Sequence, residues 1–203
     1  ILKYLAEGFI PILLAIFIIL SIFFLISKRL KDAGYNAIRC AHNPPSLAFL
    51  EVCDKLGMLV MDEAFDKWNK TVARCFRDYN VFFSDWAIRD VSYMVLRDRN
   101  HPCVISYSIG NELFEINGTK GTVEWAEALS DEIRKYDDKN FVTSAMQKGF
   151  ARWPLAEESD PEDYKQYIEE RFNRFKSENR WEGLTKNAKG FQKPLDITGL
   201  NYE

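Results

Sequence analysis

The sequence predicts an α/β fold built on a parallel sheet, and three features of the residue pattern predict it. Short runs of β-forming residues alternate with helical segments. The helical segments carry start and stop signals at their ends. Nearly every short run leads directly into side chains that hydrogen-bond. With 203 residues, 47% hydrophobic and 14% aromatic, the chain has apolar material for one sizeable core. The formal net charge of -3, with acids and bases scattered, leaves no basic stripe for a phosphate backbone. Nucleic acid is therefore not an expected partner.

Gly8 to Ser27 holds no charged residue, a length that spans a hydrocarbon core of about 30 Å. Lys28, Arg29 and Lys31 follow at once, where a signal peptide would place small residues for cleavage. Residues 1–27 are thus expected to be an apolar N-terminal segment containing a transmembrane helix. The chain would be membrane-associated if that helix inserts, and nothing else in the sequence points to a compartment. A helix buried on most sides and opened by Pro11 is the competing reading.

The first clear strand is Asn36 to Cys40. Ser46 then caps a helix that buries Phe49, Leu50, Cys53 and Leu56, and Gly57 supplies the left-handed stop. Met58 to Met61 is the second strand. Asp85 is expected to cap the next helix, with Ile88, Val91 and Val95 on one face, ending before His101-Pro102. Cys103 to Ile109 is the third strand. A helix from Glu124 to Tyr136 spaces Trp125, Leu129, Ile133 and Tyr136 at helical intervals, and Phe141 to Ala145 is the fourth strand. Residues 147–190 read as an insertion whose helix begins at Asp160-Pro161, and Leu195 to Leu200 is the fifth strand. Cys40, Cys53, Cys75 and Cys103 lack the close pairing of zinc sites and are expected as buried thiols.

In parallel α/β folds the functional groups gather where strands end. The first strand is followed by His42-Asn43, the second by Asp62-Glu63, the third by Asn111-Glu112 and the fifth by Asn201-Tyr202. All can bond sugar hydroxyls or move protons. Glycoside cleavage needs such a set: an acid for the leaving oxygen, a second carboxylate and neutral groups to hold the ring.

Three blocks carry a resemblance: Leu30 to Pro45 (LKDAGYNAIRCAHNPP), Gly57 to Trp68 (GMLVMDEAFDKW) and Leu96 to Glu112 (LRDRNHPCVISYSIGNE). They resemble successive motif blocks of family 2 glycoside hydrolases, most like the β-galactosidases, and Leu195 to Tyr202 resembles the family's sixth-strand block. The resemblance implies a partial (β/α)8 TIM barrel over residues 28–203, with strands two to six recognisable. It implies retaining hydrolysis of terminal non-reducing β-D-galactosides, with β-glucuronidase or β-mannosidase as alternatives. From another class, the chain would be a non-catalytic, membrane-anchored carbohydrate-binding remnant.

By that resemblance Glu112 is the general acid/base and Asn111 donates to the sugar 2-hydroxyl. His42, Asn43, Asp62 and Glu63 line or buttress the sugar subsite, and Tyr202 stands beside the nucleophile. For Asp62 and Glu63, an ion pair to Arg39 beneath the site is an equal reading. Trp68 is a candidate to stack on a sugar face, and His101 belongs to the barrel's far end as a structural residue. Neither metal nor cofactor is expected. The nucleophile belongs to the family's seventh strand, which no block here matches, and Glu203 does not fit its motif. The 203 residues alone are therefore expected to be inactive, and their open sheet edges to favour self-association.

Overall fold

The computed structural model describes residues 10–69, 78–117, 120–147 and 186–201. Five strands form one parallel sheet: β1 (Ala37–Arg39), β2 (Leu59–Glu63), β3 (Val104–Asn111), β4 (Phe141–Gln147) and β5 (Ile197–Asn201). Their order in the sheet is their order in the chain. Helices α1 (Ile10–Asp32), α2 (Leu47–Leu56), α3 (Phe83–Asp98), α4 (Thr122–Tyr136) and α5 (Lys186–Gln192) alternate with them. A sheet that always adds its next strand on the same side curls in one direction, and the result is half of a TIM-type barrel.

Local chemistry sets the element ends. The Ser46 hydroxyl accepts from the Phe49 amide at 3.3 Å, and Gly57 closes α2 at φ 63°, a conformation that favours glycine. The expected cap at Asp85 is not there. Helix α3 begins two residues earlier at Phe83, which is fully buried, and no side chain caps it. Asp85 lies in its first turn, where a carboxylate still complements the helix dipole. Cys53 and Cys103 are buried free thiols, and burial pushes the Cys53 thiol up to about 11. Cys75 and most of the expected insertion lie outside the described residues.

Register assigns the two faces of the sheet. Val60 pairs with Val104, Asp62 with Tyr107 and Tyr107 with Val142, and all five are buried on the helix-covered side. One position along, Leu59, Phe141 and Ile197 face the concave side and are between 40% and 51% exposed. Strands β1 and β5 are the edges of the described sheet.

The expected membrane span at residues 8–27 finds no support. Among the described residues no helix is long and apolar enough to cross a membrane. Helix α1 instead runs on through Lys28 to Asp32 and lies against α2. Ser27 is buried there, the Phe23 ring meets Phe49 edge-on at 6.1 Å, and Lys31 donates to the Gly57 carbonyl at 2.7 Å. These contacts give the end of α1 the place of a barrel helix. On its other side Ile22, Leu25 and Ile26 are exposed.

Trp68 also departs from expectation. Its side chain is fully buried, its indole N–H donates to the Ile109 carbonyl at 2.7 Å, and its ring stacks on Phe83 at 5.2 Å. No face is left for a sugar, because the ring fills the gap between the end of β3 and the start of α3. Phe65, Tyr79, Trp125 and Phe191 complete this aromatic cluster. Truncating so large a buried ring, Trp68→Ala, should cost about 3–5 kcal/mol in urea unfolding. Trp86→Ala, at a 42% exposed position, should stay within about 0.5 kcal/mol. Equal losses would contradict the assignment of Trp68 to the core.

Candidate active site

Four strands deliver their final residues to one place: Arg39 from β1, Glu63 from β2, Asn111 from β3 and Asn201 from β5. The guanidinium of Arg39 meets all the others. Its Nε donates to Glu63 Oε1 at 2.5 Å, one Nη to Asn111 Oδ1 at 2.8 Å and the other to Asn201 Oδ1 at 3.1 Å. Glu63 is fully buried, and its second oxygen lies 2.8 Å from His42 Nδ1. Against a carboxylate, that ring nitrogen is the donor. Both Glu63 oxygens are thus committed to cations or donors, and the residue buttresses the site. The expected ion pair with Arg39 is present for Glu63.

Glu112 lies one residue past β3 and has φ 46°, the left-handed region. A non-glycine residue there stores about 1–3 kcal/mol and persists where the surroundings hold it. Its amide donates to the Ala145 carbonyl at 2.7 Å, and the Lys67 ammonium reaches the carbonyls of Asn111 at 3.0 Å and Glu112 at 3.3 Å. Asn201 Nδ2 donates to Glu112 Oε1 at 2.8 Å. Asn111 Nδ2 gives one hydrogen to Asp66 Oδ1 at 3.0 Å and keeps the other for a ligand. Around these groups opens a cleft of ≈ 500 Å³ lined by Arg39, His42, Asp66, Lys67, Asn111, Glu112 and Asn201.

The structure therefore brings His42, Glu63, Asn111 and Glu112 together. Asn43 points elsewhere, into a neighbouring cavity of ≈ 320 Å³ shared with Phe65, Tyr79 and Arg97. Tyr202 lies outside the described residues. Among the described residues no group of three His, Cys, Asp or Glu could hold a metal ion. Asn201, named as a strand-end residue but given no role, joins the cleft, and Asp66 and Lys67 join it without having been singled out. Asp66 and Lys67 follow the Asp62-Glu63 pair within four positions, so extending the strand-end rule by one turn would have found them.

Asp62 does not line the cleft as expected. Strand residues alternate in face, so with Glu63 in the cleft Asp62 projects toward the helices, where it is fully buried. Beside it Asp98 is gripped on both oxygens by Arg97, at 2.6 Å each. Burial, and then the adjacent Asp98 carboxylate, push the Asp62 carboxyl up to about 9. At neutral pH Asp62 therefore keeps its proton, and neither of its oxygens has a hydrogen-bond partner among the described residues.

Residues 27–198 match the family model described as "Glycosyl hydrolases family 2, TIM barrel domain". Among curated relatives, the β-galactosidase BoGH2A of Bacteroides ovatus is 45% identical over 104 residues, which is 51% of this chain and 11% of that protein. A β-galactosidase of Yersinia enterocolitica is 40% identical over 84 residues, 41% of this chain and 8% of that one. A solved glycosyl hydrolase family 2 member from Bacteroides cellulosilyticus superposes with a TM-score of 0.66 at 33% identity, covering 89% of this chain and 18% of its own. A solved β-glucuronidase from an uncultured Clostridium species has a TM-score of 0.53 at 25% identity, over 62% of this chain and 22% of its own. The chain thus spans about a tenth of the length of the curated relatives it matches.

The Asp62 carboxyl yields a prediction with a definite sign. Its folded pKa lies above the unfolded one, so the folded state binds the extra proton. The stability it contributes is complete below about 3.8 and is lost as pH rises through about 9. Asp62→Asn, which has no proton to lose, should remove this decline, so its stability relative to the parent should rise steadily from pH 6 to about pH 9 and then level off. Urea unfolding from pH 6 to 10 checks this, and parallel curves for the two proteins would contradict it.

Proposed function

Because this chain belongs to family 2 of the glycosyl hydrolases, we propose that it provides the acid/base half of a retaining β-glycosidase site acting on terminal β-D-galactosides. The observation that carries this reading is the setting of Glu112. It is the carboxyl beyond the end of β3 that lines the cleft, and a neutral amide, Asn201 Nδ2, holds its Oε1. That leaves Oε2 for a transferable proton.

In the first step Glu112 protonates the glycosidic oxygen as a second carboxylate attacks the anomeric carbon and the leaving group departs. In the second step Glu112 takes a proton from water as the water displaces the enzyme carboxylate from the sugar. Asn111 holds the 2-hydroxyl with its remaining amide hydrogen, and His42 and Asn201 complete the polar wall. Glu63 fixes Arg39 and His42. The nucleophile is assigned to the seventh strand of the family's barrel, about 5–5.5 Å from the acid. That strand and its neighbours would also cover the edges left by β1 and β5. Without the second carboxylate, the 203 residues by themselves should show background turnover.

The galactoside assignment follows the β-galactosidases among the relatives. Similarity to a solved β-glucuronidase makes a β-glucuronide the second reading. Paired assays with aryl β-galactoside and aryl β-glucuronide separate the two.

The experiment exchanges residues 28–203 into the Bacteroides ovatus β-galactosidase, which supplies the remaining strands, and compares Glu112→Gln with its parent. Loss of a general acid should slow phenyl galactoside cleavage by about 10²–10⁴ and spare the bond-breaking step of dinitrophenyl galactoside. Equal losses on the two substrates would remove Glu112 from the acid role.

A further inference from the structure

We propose that Lys67 is a positioning residue for Glu112, an ammonium that ties the carbonyls of Asn111 and Glu112 to the Asp66 carboxylate and so fixes the left-handed turn at the end of β3. An ammonium has three donors, and here three acceptors surround it: Asn111 O at 3.0 Å, Glu112 O at 3.3 Å and Asp66 Oδ1 at 3.3 Å. Its side chain is only 12% exposed and passes over the Phe114 ring, 5.8 Å from the centroid. The charge is therefore spent on the protein and is not held out for a ligand.

The turn needs such a clamp. Gly110 gives Leu113 room to fold back into the core, since a Cβ at Gly110 would stand 2.9 Å from Leu113 Cδ1. That reversal brings the two successive carbonyls of Asn111 and Glu112 to one point. Their negative ends repel, and a cation between them turns repulsion into attraction. From the other side the Glu112 amide is pinned to Ala145 O on β4. Asp66 completes the loop by accepting from both Lys67 and the Asn111 side chain, so Asn111 is held at its carbonyl and at its amide. With the main chain fixed on both sides, the Glu112 side chain reaches Asn201 Nδ2 at 2.8 Å.

A neutral side chain of similar length at position 67 would leave the carbonyls to water, and the turn would relax toward negative φ. Displacement of a catalytic group by about 1 Å can cost about 10²-fold in rate. The loss would fall on proton donation and not on sugar binding. The kinetic part of the inference rests on Glu112 as the acid, whereas the structural part does not.

The test uses Lys67→Met, Lys67→Gln and Lys67→Arg, with Gln as the second variant should Met fail to fold. In the 203-residue chain, hydrogen exchange at the Glu112 amide should accelerate about tenfold in Met or Gln and stay near the parent rate in Arg. In the exchanged enzyme, Met or Gln should lower kcat for phenyl galactoside about 10²-fold with KM nearly constant. Dinitrophenyl galactoside should be spared, and Arg should recover most of the loss. Unchanged exchange at Glu112, or equal kinetic loss on both leaving groups, would overturn the proposal. If the exchanged parent cleaves neither substrate, the glycosidase reading fails, and the exchange rates decide the positioning role alone.

Discussion

The site depends on one guanidinium. Arg39 ends β1 on the concave face, and its fork of donors is satisfied by acceptors from three other strands. The bond to Glu63 is the strongest constraint, because that carboxylate is fully buried and cannot be left unpaired. Breaking such a pair by removing one partner costs about 3–5 kcal/mol. Glu63 therefore fixes Arg39, and Arg39 fixes the two asparagines. Asn201 in turn holds Glu112. The orientation of the proposed acid is inherited from a salt bridge two strands away.

Sheet geometry explains why the chain can build this without long-range coincidence. Parallel strands end on the same side, so consecutive βα units bring their last residues together whatever the loops contain. Alternation along each strand then sorts neighbours in sequence into different environments. Glu63 enters the cleft and Asp62 enters the layer under α3, where it keeps its proton beside Asp98. Adjacent carboxyls thus have opposite roles, one bound between Arg39 and His42 and the other held neutral by burial.

Much of this was legible in the residues. Ser46 and Gly57 mark the ends of α2 because capping is local chemistry, and all five strands are placed to within a few residues because nearly every run leads into a polar group. Glu112, Asn111, His42 and Glu63 were found as strand-end residues. What was not legible depended on direction or on the main chain. The face of Asp62 follows from period two only once Glu63 is anchored by Arg39. Trp68 offered an aromatic ring, and only packing against Phe83 showed that both its faces are covered. Lys67 acts through carbonyl oxygens, which leave no mark on side-chain identity. The apolar run before Lys28 had the composition of a membrane helix, but its docking on α2 through Phe23 and Lys31 depends on tertiary contacts.

The central claim is that Arg39 makes the far strand ends one network, and the most direct measurement is a double-mutant cycle between Arg39 and Asn201. These residues stand 162 positions apart and meet at 3.1 Å, bridging β1 and β5. Urea unfolding of Arg39→Met, Asn201→Ala and the double variant should give a coupling energy of about 1 kcal/mol or more, as expected for groups in one network. Losses that add within about 0.5 kcal/mol would show the strand ends to be independent and would contradict the account.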